Sequence, residues 1–222
     1  MRIRAARSTS VSVLVSAELE LSASLESEWL RLLPPERRAQ IGRWPERRDR
    51  QRSLVASRLL AHGLHRLGYP PAKALSSLRY PPRSRPTLDL PVHFSLAHCD
   101  GRVVCALSTD VLVGVDVEAF GALTADEFSL YLSAAERAWA GRSARRFYSV
   151  WTRKEAVAKA AGSGLPALPR VDTMHGVGVA ALAGRLWRTA PIALGRRHVG
   201  HVALADLHAA VKVEQVSARA LL

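Results

Sequence analysis

The amino-acid sequence predicts a soluble α+β protein, because segments in which apolar residues alternate are interspersed with segments of helical periodicity. Hydrophobic residues make up 48% of the 222 residues and charged residues 23%, which is typical of a chain that folds around a core. No uninterrupted apolar run has the length that a bilayer span requires, so we expect no integral membrane protein.

The first predicted element is a strand near the N-terminus. Val11, Val13 and Val15 alternate with smaller or polar residues, which is the period of a strand. Basic residues precede this segment, as they do in secretory signals: Arg2, Arg4 and Arg7. The apolar run is short, however, and Glu18 and Glu20 follow it at once, so we predict a strand in a cytoplasmic protein.

Helices and further strands follow in order. Apolar residues at helical spacing predict one helix over 21–33, ended by Pro34-Pro35, and a second from after Pro45 to about residue 67. Residues 80–91 are proline-rich and predict a loop. The strands expected next cover 92–97, 103–108 and 111–117, with a hairpin turn at 99–102.

The C-terminal half predicts a broken helix and then several strands. Residues 133–161 have helical periodicity, with Gly141 as the break between two pieces. Gly162, Gly164 and the prolines that follow predict a loop, and the rest is rich in Val, Ala and Leu. We place a subdomain boundary near 108–112, which divides the chain into 1–110 and 111–222.

The charge of the chain favours a negatively charged partner. Lys and Arg number 32 against 19 Asp and Glu, a formal net charge of +13. Most of this excess lies in residues 31–90, with 14 basic and four acidic residues. The segment is either an ordinary solvated face or an anion-binding surface, and nucleic acid, an acidic protein and a phosphorylated cofactor are all compatible with it. The two cysteines have no CxxC spacing, so neither a disulfide framework nor a zinc site is expected.

The segment 113–118 reads Val-Gly-Val-Asp-Val-Glu and predicts a buried strand that ends in two carboxylates. The valines point to one face, and Gly114, Asp116 and Glu118 to the other, where the glycine leaves room for a ligand. Neighbouring carboxylates repel unless a cation neutralises them, and oxygen-only ligands favour Mg²⁺. The alternative is a strand end whose acids are simply solvated.

The segment 151–159 predicts a helix that adds charged groups of both signs. Glu155 and Lys159 are four residues apart and therefore share a face, with Trp151 one turn earlier. This spacing is also that of a common surface ion pair. In the functional interpretation Glu155 is a third oxygen ligand, and Lys159 reaches a phosphate held by the metal.

Phe94-Ser95-Leu96-Ala97-His98 predicts a strand that ends in a histidine. A single histidine at a strand end is more often structural, but here a phosphate contact is compatible with its position before the carboxylate strand. The sequence contains no P-loop, no GxSxG motif and no dinucleotide fingerprint.

Taken together, these motifs resemble the 4'-phosphopantetheinyl transferases, specifically the larger type that activates surfactin synthetase. That family has a G-[IV]-D-[IV]-E strand followed by a W-[ST]-x-K-E-[AS]-x-x-x-K helix, which 114–118 and 151–159 match in type and order. Arg85-Pro86 and the 94–98 strand stand where the family has its basic-Pro and F-N/S-x-S-H segments. Arg37 and Arg52 stand where it has cofactor-binding bases. The resemblance covers about residues 34–170.

The resemblance implies a fold of two similar α/β subdomains related by a pseudo-twofold axis, with coenzyme A in the cleft between them. It implies a Mg²⁺-dependent reaction in which a serine of an acyl or peptidyl carrier protein attacks the β-phosphate of coenzyme A and 3',5'-ADP leaves. The carrier would serve fatty-acid, polyketide or nonribosomal peptide biosynthesis, and its surface would be acidic. The enzyme would act as a monomer without nucleic-acid or membrane partners.

The resemblance also implies roles for individual residues. The implied metal ligands are Asp116, Glu118 and Glu155. The implied catalytic residues are Asp116, Glu155 and Lys159, and either Glu155 or a metal-bound water deprotonates the serine. The implied coenzyme A contacts are Arg37, Arg52, Arg85, His98, Lys154 and Lys159. The chain departs from the family at Ala97, Gln40 and Arg85, which alters details of the coenzyme A contacts.

Alternative functions use the same features differently. The basic segment 31–90 could follow the phosphates of a nucleic acid, although this leaves the three carboxylates unexplained. The carboxylates could also serve a Mg²⁺-dependent phosphodiesterase, which would hydrolyse a phosphodiester without any carrier protein.

Overall fold

Two β-sheets and five α-helices form the computed structural model, which describes residues 9–70, 75–81 and 84–222. The elements before residue 111 are β1 (Ser10–Ala17), α1 (Ala23–Arg31), α2 (Pro35–Gly42), α3 (Arg47–Arg66), β2 (His93–Cys99) and β3 (Arg102–Ser108). Those after it are β4 (Val113–Ala119), α4 (Ala134–Ala140), α5 (Ala144–Ala161), β5 (Asp172–Gly176), β6 (Val179–Leu182), β7 (Arg185–Pro191), β8 (His198–Leu204) and β9 (Ala210–Gln215). Short 3₁₀ turns cover Leu165–Arg170 and Ala218–Ala220. The predicted α+β class is confirmed.

The first sheet has the order β2-β3-β1-β9. β3 pairs antiparallel with both β1 and β2, whereas β9 pairs parallel with β1. Residues 210–215, which the sequence placed in the second subdomain, therefore complete the sheet of the first half. The arginines before β1 lie outside the described residues. The division at 110/111 and the pseudo-twofold relation stay predictions.

The second sheet has the order β4-β8-β7-β6-β5, and all its pairs are antiparallel. The carboxylate strand β4 is thus an edge strand within its own sheet. Its neighbour in the other sheet is β2, since the backbone N–H of Val115 donates to the Ser95 hydroxyl at 3.1 Å. The two motif-bearing strands lie side by side at the junction of the sheets.

The sheets pack face to face through a core of small β-branched residues. Val11, Val13 and Val15 of β1 share this core with alternate residues of β4, namely Val113, Val115 and Val117. The other face of the first sheet packs against α3, through a core that includes Leu14, Leu59 and Leu107. The other face of the second sheet packs against α5. The layers therefore run helix, sheet, sheet, helix.

Prediction and structure differ at the proline pair after α1. The pair ends α1 as expected, but Pro35 also begins α2, which the sequence analysis did not predict. Proline is tolerated at a first helical position because the amide hydrogen it lacks would have no partner there. The break at Gly141 is confirmed, and this residue has a φ of 49°. Within the described part of the chain, no helix has the length and apolar character needed to cross a bilayer.

Candidate active site

The carboxylate of Asp116 is buried and paired on one side only. Asp116 is 5% exposed, and its Oδ1 accepts a hydrogen bond from Lys159 Nζ at 2.6 Å. Its Oδ2 is buried and has no hydrogen-bond partner among the described residues. Burial raises the pKa of Asp116, and the Lys159 ammonium opposes that effect. One oxygen of this carboxylate is therefore left without a hydrogen bond of normal geometry within the described residues.

Glu118 and Glu155 add further negative charge beside it. The pKa of Glu118 is raised to about 7, first by burial and then by the charges of Asp116 and Glu155, against the opposing effect of Lys159. The Trp151 side chain donates a hydrogen bond to Glu118. The pKa of Glu155 is also raised, by burial and by Asp116. The structure thus brings together the three carboxylates and the lysine that the sequence analysis selected.

Gly114 brings the helix onto the strand. A Cβ added at Gly114 would lie 2.1 Å from the backbone oxygen of Ala156 and 2.4 Å from the nitrogen of Ala160. The backbone of α5 therefore rests directly on β4, and the side chains of Glu155 and Lys159 reach the face that holds Asp116. The expectation that Gly114 leaves room for a ligand is wrong, because the space is filled by the helix.

Aromatic residues border the carboxylates. Trp151 packs edge-on against Phe128 and Tyr131, with ring centroids 4.8 and 5.8 Å apart. Tyr148 lies about one helical turn before Trp151. Its hydroxyl accepts hydrogen bonds from the backbone N–H groups of Gly121 and Leu123. Tyr148 thus holds the loop that follows the carboxylate strand. The sequence analysis missed this residue, which carries no motif signal of its own.

Arg37 lies in a separate pocket of the first half. It is buried, it donates to Gln40 Oε1 at 2.7 Å and Ser53 Oγ at 2.6 Å, and its guanidinium lies 3.8 Å from the centre of the Tyr80 ring. Arg37, Gln40 and Tyr80 line a cavity of about 400 Å³ together with others, among them Glu36 and Arg43. The Nε of Arg37 and the Tyr80 hydroxyl are buried without hydrogen-bond partners among the described residues. Unpaired donors beside a cavity are suited to an anionic ligand.

Arg52 is neutralised by carboxylates of its own half. Its guanidinium lies 3.0 Å from Glu18, 3.1 Å from Asp49 and 2.6 Å from Asp100. The Arg52 side chain is 11% exposed. A phosphate bound here would have to compete with these acids, so the structure places Arg52 in an internal ion-pair network.

The pKa of His98 is affected by cations of the first half and by the lysine of the second. Burial lowers the pKa of His98, and the charges of Arg52, Lys159 and Arg37 lower it further, whereas Asp49 raises it. His98 therefore lies in the electrostatic field of cations from both halves, which disfavours its protonated form. The ring centroids of Trp44 and His98 are 6.1 Å apart.

Arg85 contacts backbone rather than the carboxylate group. It donates to the carbonyl of Val113 at 3.1 Å and, more weakly, to that of Phe94 at 3.5 Å. A Cβ added at Gly162 would lie 2.8 Å from Cγ of Arg85, so the aliphatic part of Arg85 packs on this glycine. Arg85 thus links the starts of β2 and β4, and its part in binding coenzyme A stays a prediction.

Lys154 requires a correction. The sequence analysis placed it among the coenzyme A contacts, but its side chain is 0% exposed. Its ammonium pairs with the equally buried Glu136 at 2.8 Å and donates to the carbonyls of Leu168 and Val171. Because successive helical residues point about 100° apart, Lys154 faces the interior while Glu155 faces the site. Lys154 has no free surface with which to contact a ligand.

Thr152 and His201 were also missed as a pair. His201 lies directly across from Asp116 in the β4–β8 pairing, and its Nδ1 is 2.8 Å from the Thr152 hydroxyl. That hydroxyl also donates to the carbonyl of Tyr148. Burial lowers the pKa of His201 to about 3, so the ring is neutral. The hydroxyl in the W-[ST]-x-K-E motif therefore ties α5 to the sheet beside the carboxylates.

The carboxylate group fits a hard cation by its chemistry. All its donors are oxygens, Asp116 Oδ2 has no hydrogen-bond partner among the described residues, and neighbouring carboxylates add to burial in raising the pKa values of Glu118 and Glu155, an effect that a divalent cation would oppose. Across 9–70, 75–81 and 84–222, no group of three or more His, Cys, Asp or Glu side chains is already arranged to hold a metal ion. The donor set is present, and the Lys159 ammonium occupies part of it.

One segment of the chain matches the model of a known protein family. The model of the 4'-phosphopantetheinyl transferase superfamily matches residues 112–191, a segment that contains both the carboxylate strand and the α5 motif. Residues 112–191 are therefore similar to this superfamily, and the resemblance predicted from the motifs is confirmed for this segment.

Part of the chain is also similar in sequence to one individual protein. The chain is 31% identical over 86 residues to the 4'-phosphopantetheinyl transferase gsp of Aneurinibacillus migulanus. This match covers 36% of the chain and 36% of the relative, so it spans about a third of each protein. The family model does not reach Arg37, Arg52, Arg85 or His98.

Proposed function

We propose that this protein transfers 4'-phosphopantetheine from coenzyme A to a serine of an acyl or peptidyl carrier protein, with Mg²⁺, and releases 3',5'-ADP. The observation that supports this most is the group of Asp116, Glu118 and Glu155 around Lys159, inside the segment that matches the superfamily. The attacking serine oxygen forms the new P–O bond to the β-phosphorus, and the bridging oxygen leaves with 3',5'-ADP.

The residues have distinct roles in this proposal. Asp116, Glu118 and Glu155 would hold Mg²⁺, which when bound neutralises negative charge on the pyrophosphate. Lys159 exchanges part of its contact with Asp116 for a phosphate oxygen and stabilises charge there as a point cation. Glu155 is the proposed acceptor of the proton of the attacking serine, and burial and the charge of Asp116 raise its pKa.

Binding of coenzyme A is assigned to the first half. The cavity beside Arg37 supplies cationic and aromatic groups, and the charges of both Arg37 and Lys159 lower the pKa of His98. Arg37 is the best-placed cation for the 3'-phosphate, because Arg52 is already surrounded by acids. Coenzyme A would then lie across the junction between the two sheets, with its 3'-phosphate near Arg37 and its pyrophosphate near the carboxylates.

The net charge of +13 suits an acidic carrier protein. Opposite charges raise the rate of association, and salt screens that effect. We therefore expect the KM for the carrier protein to rise with ionic strength while the KM for coenzyme A changes less. A KM for carrier that does not change with salt would contradict the steering role.

The test of the function is intact-mass spectrometry of an apo carrier protein after incubation with this protein, coenzyme A and Mg²⁺. We expect a phosphopantetheine increment that EDTA abolishes and that Asp116→Asn loses. Glu28→Gln is the matched control, since it removes one exposed carboxylate elsewhere. Both variants should retain the wild-type melting temperature to within a few degrees.

The alternatives predict different products. Hydrolysis of coenzyme A without any carrier protein would indicate a phosphodiesterase. Transfer that persists in Asp116→Asn would show that the assigned carboxylates are not the active site. Absence of both transfer and coenzyme A binding, together with salt-sensitive binding of DNA or RNA, would favour the nucleic-acid alternative.

A further inference from the structure

A groove of about 360 Å³ lies at the end of the second sheet, away from the carboxylates. It forms where the C-terminal end of α5, the 3₁₀ turn at Leu165–Arg170 and the β6–β7 hairpin meet. Its apolar lining consists of Leu112, Ala161, Ala167, Leu182, Ala183 and Trp187. The volume falls in the range of small-ligand pockets, about 300–1,000 Å³.

The polar groups of this groove are largely hydrogen-bond donors. Arg170 and Arg185 line it, and neither forms an ion pair within the described residues. The Arg185 guanidinium lies 4.9 Å from the centre of the Trp187 ring, and its one hydrogen bond, to the carbonyl of Ala205, is long at 3.4 Å. No Asp or Glu is among the described residues that line the groove.

The indole of Trp187 adds a further unsatisfied donor. Trp187 is 2% exposed, and its Nε1 has no hydrogen-bond acceptor within the described part of the chain. Buried polar groups in folded proteins nearly always have partners, so an orphaned donor beside a groove is a notable feature. Apolar walls with two guanidinium groups that form no ion pair within the described residues are complementary to a ligand that has an apolar body and one anionic end.

We propose that this groove binds a medium-chain monocarboxylate. The alkyl chain lies along the accessible apolar lining at Leu112, Ala161 and Ala183, and the carboxylate accepts hydrogen bonds from Arg170 and Arg185, as guanidinium groups favour. None of these residues belongs to the proposed transfer site, so the inference goes beyond the proposed function and does not depend on it.

The experiment is a titration of the full chain with butanoate, hexanoate, octanoate and octanamide, followed by calorimetry and by the indole N–H signal of Trp187. We expect one saturable site whose affinity rises about fourfold per added methylene group. Octanamide, which has the same chain without the charge, should bind at least tenfold more weakly than octanoate.

Variants test whether octanoate binds at Arg170 and Arg185 or elsewhere on the protein. Arg170→Ala with Arg185→Ala should weaken octanoate binding at least tenfold, whereas Arg196→Ala with Arg197→Ala should leave it unchanged. Asp116→Asn should bind octanoate like the wild type, so that failure of this site and failure of the proposed transfer are distinguishable. Octanamide binding as tight as octanoate, binding unaffected by loss of Arg170 and Arg185, or no binding at millimolar octanoate would each overturn the proposal.

Discussion

The two halves of the molecule handle their charged residues in opposite ways. In the first half Arg52 is surrounded by acids and Arg37 is held by Gln40, Ser53 and the Tyr80 ring. In the second half three carboxylates are placed together, with Lys159 as the cation that pairs with one of them. Arg52 of the first half is thus paired within its own half, whereas the group of Asp116, Glu118 and Glu155 in the second half holds more carboxylates than the one lysine that pairs with it. This local excess of carboxylates is where a further cation would be favoured.

The largest expected effect tests how the carboxylate half is held together. Gly114→Ala would place a methyl group 2.1 Å from a backbone oxygen of α5, which cannot move without displacing the helix. We expect a loss of unfolding free energy of about 3–5 kcal/mol and loss of transfer. Gly42→Ala is the control, because a Cβ there meets nothing within 4 Å. Chemical denaturation of both variants measures the difference, and a stable Gly114→Ala would show that α5 does not rest on β4.

The next effect concerns the buried ion pair behind the active-site face. Lys154→Met leaves Glu136 buried without its cation, which we expect to cost about 3–5 kcal/mol. The double variant Lys154→Met, Glu136→Gln should be less destabilised than the single one, because the unpaired charge is gone. If Lys154 bound coenzyme A instead, the single variant would fold normally and only the KM for coenzyme A would rise.

The same pair predicts a dependence of stability on pH. Burial raises the pKa of Glu136, but hydrogen bonds from Lys154, Thr173 and the Ser133 backbone outweigh this, so its pKa lies below the ordinary 4.5. The stability from this depression is present above the ordinary value and is lost as pH falls through the folded pKa. Glu136→Gln should therefore show a shallower loss of stability below pH 4.5 than the wild type. Parallel slopes in acid denaturation would contradict the pairing.

A smaller effect tests the neutralised half. Arg52→Ala removes the shared partner of Glu18, Asp49 and Asp100, and we expect a loss of about 1–3 kcal/mol. Combined with Glu18→Ala, it should cost less than the sum of the single changes by about 0.5–3 kcal/mol. Unchanged stability together with weak coenzyme A binding would mean that Arg52 serves the ligand and not the fold.

The smallest effect concerns the loop after the carboxylate strand. Tyr148→Phe removes the hydroxyl that accepts from Gly121 and Leu123, at a cost of about 1 kcal/mol. Because Gly121 lies only three residues after Glu118, we expect a lower kcat with little change in the KM for coenzyme A. Tyr69→Phe in the first half is the matched control. Equal kinetics in both variants would remove Tyr148 from any positioning role.

Much of the local structure could be predicted from periodicity. The valines of β1 and β4, the helical spacing in α3 and α5, and the break at Gly141 all appear where the pattern placed them. The second helix in the N-terminal half was missed, because Pro35 was interpreted only as a helix end and not as a helix start. The return of β9 to β1 was missed because a parallel pairing between the ends of the chain leaves no local signal.

The sequence alone determined which chemical groups the site contains, since residue types and their spacing along β4 and α5 are local properties. It specified Asp116, Glu118, Glu155 and Lys159 as one group, and the structure brings them together. Only the tertiary structure decided which neighbouring charges are free, because pairing depends on residues far apart in the chain. Lys154 is buried against Glu136 and Arg52 is enclosed by Glu18 and Asp100, and neither contact can be inferred from spacing. Burial and long-range pairing together decide which cations remain available to a ligand.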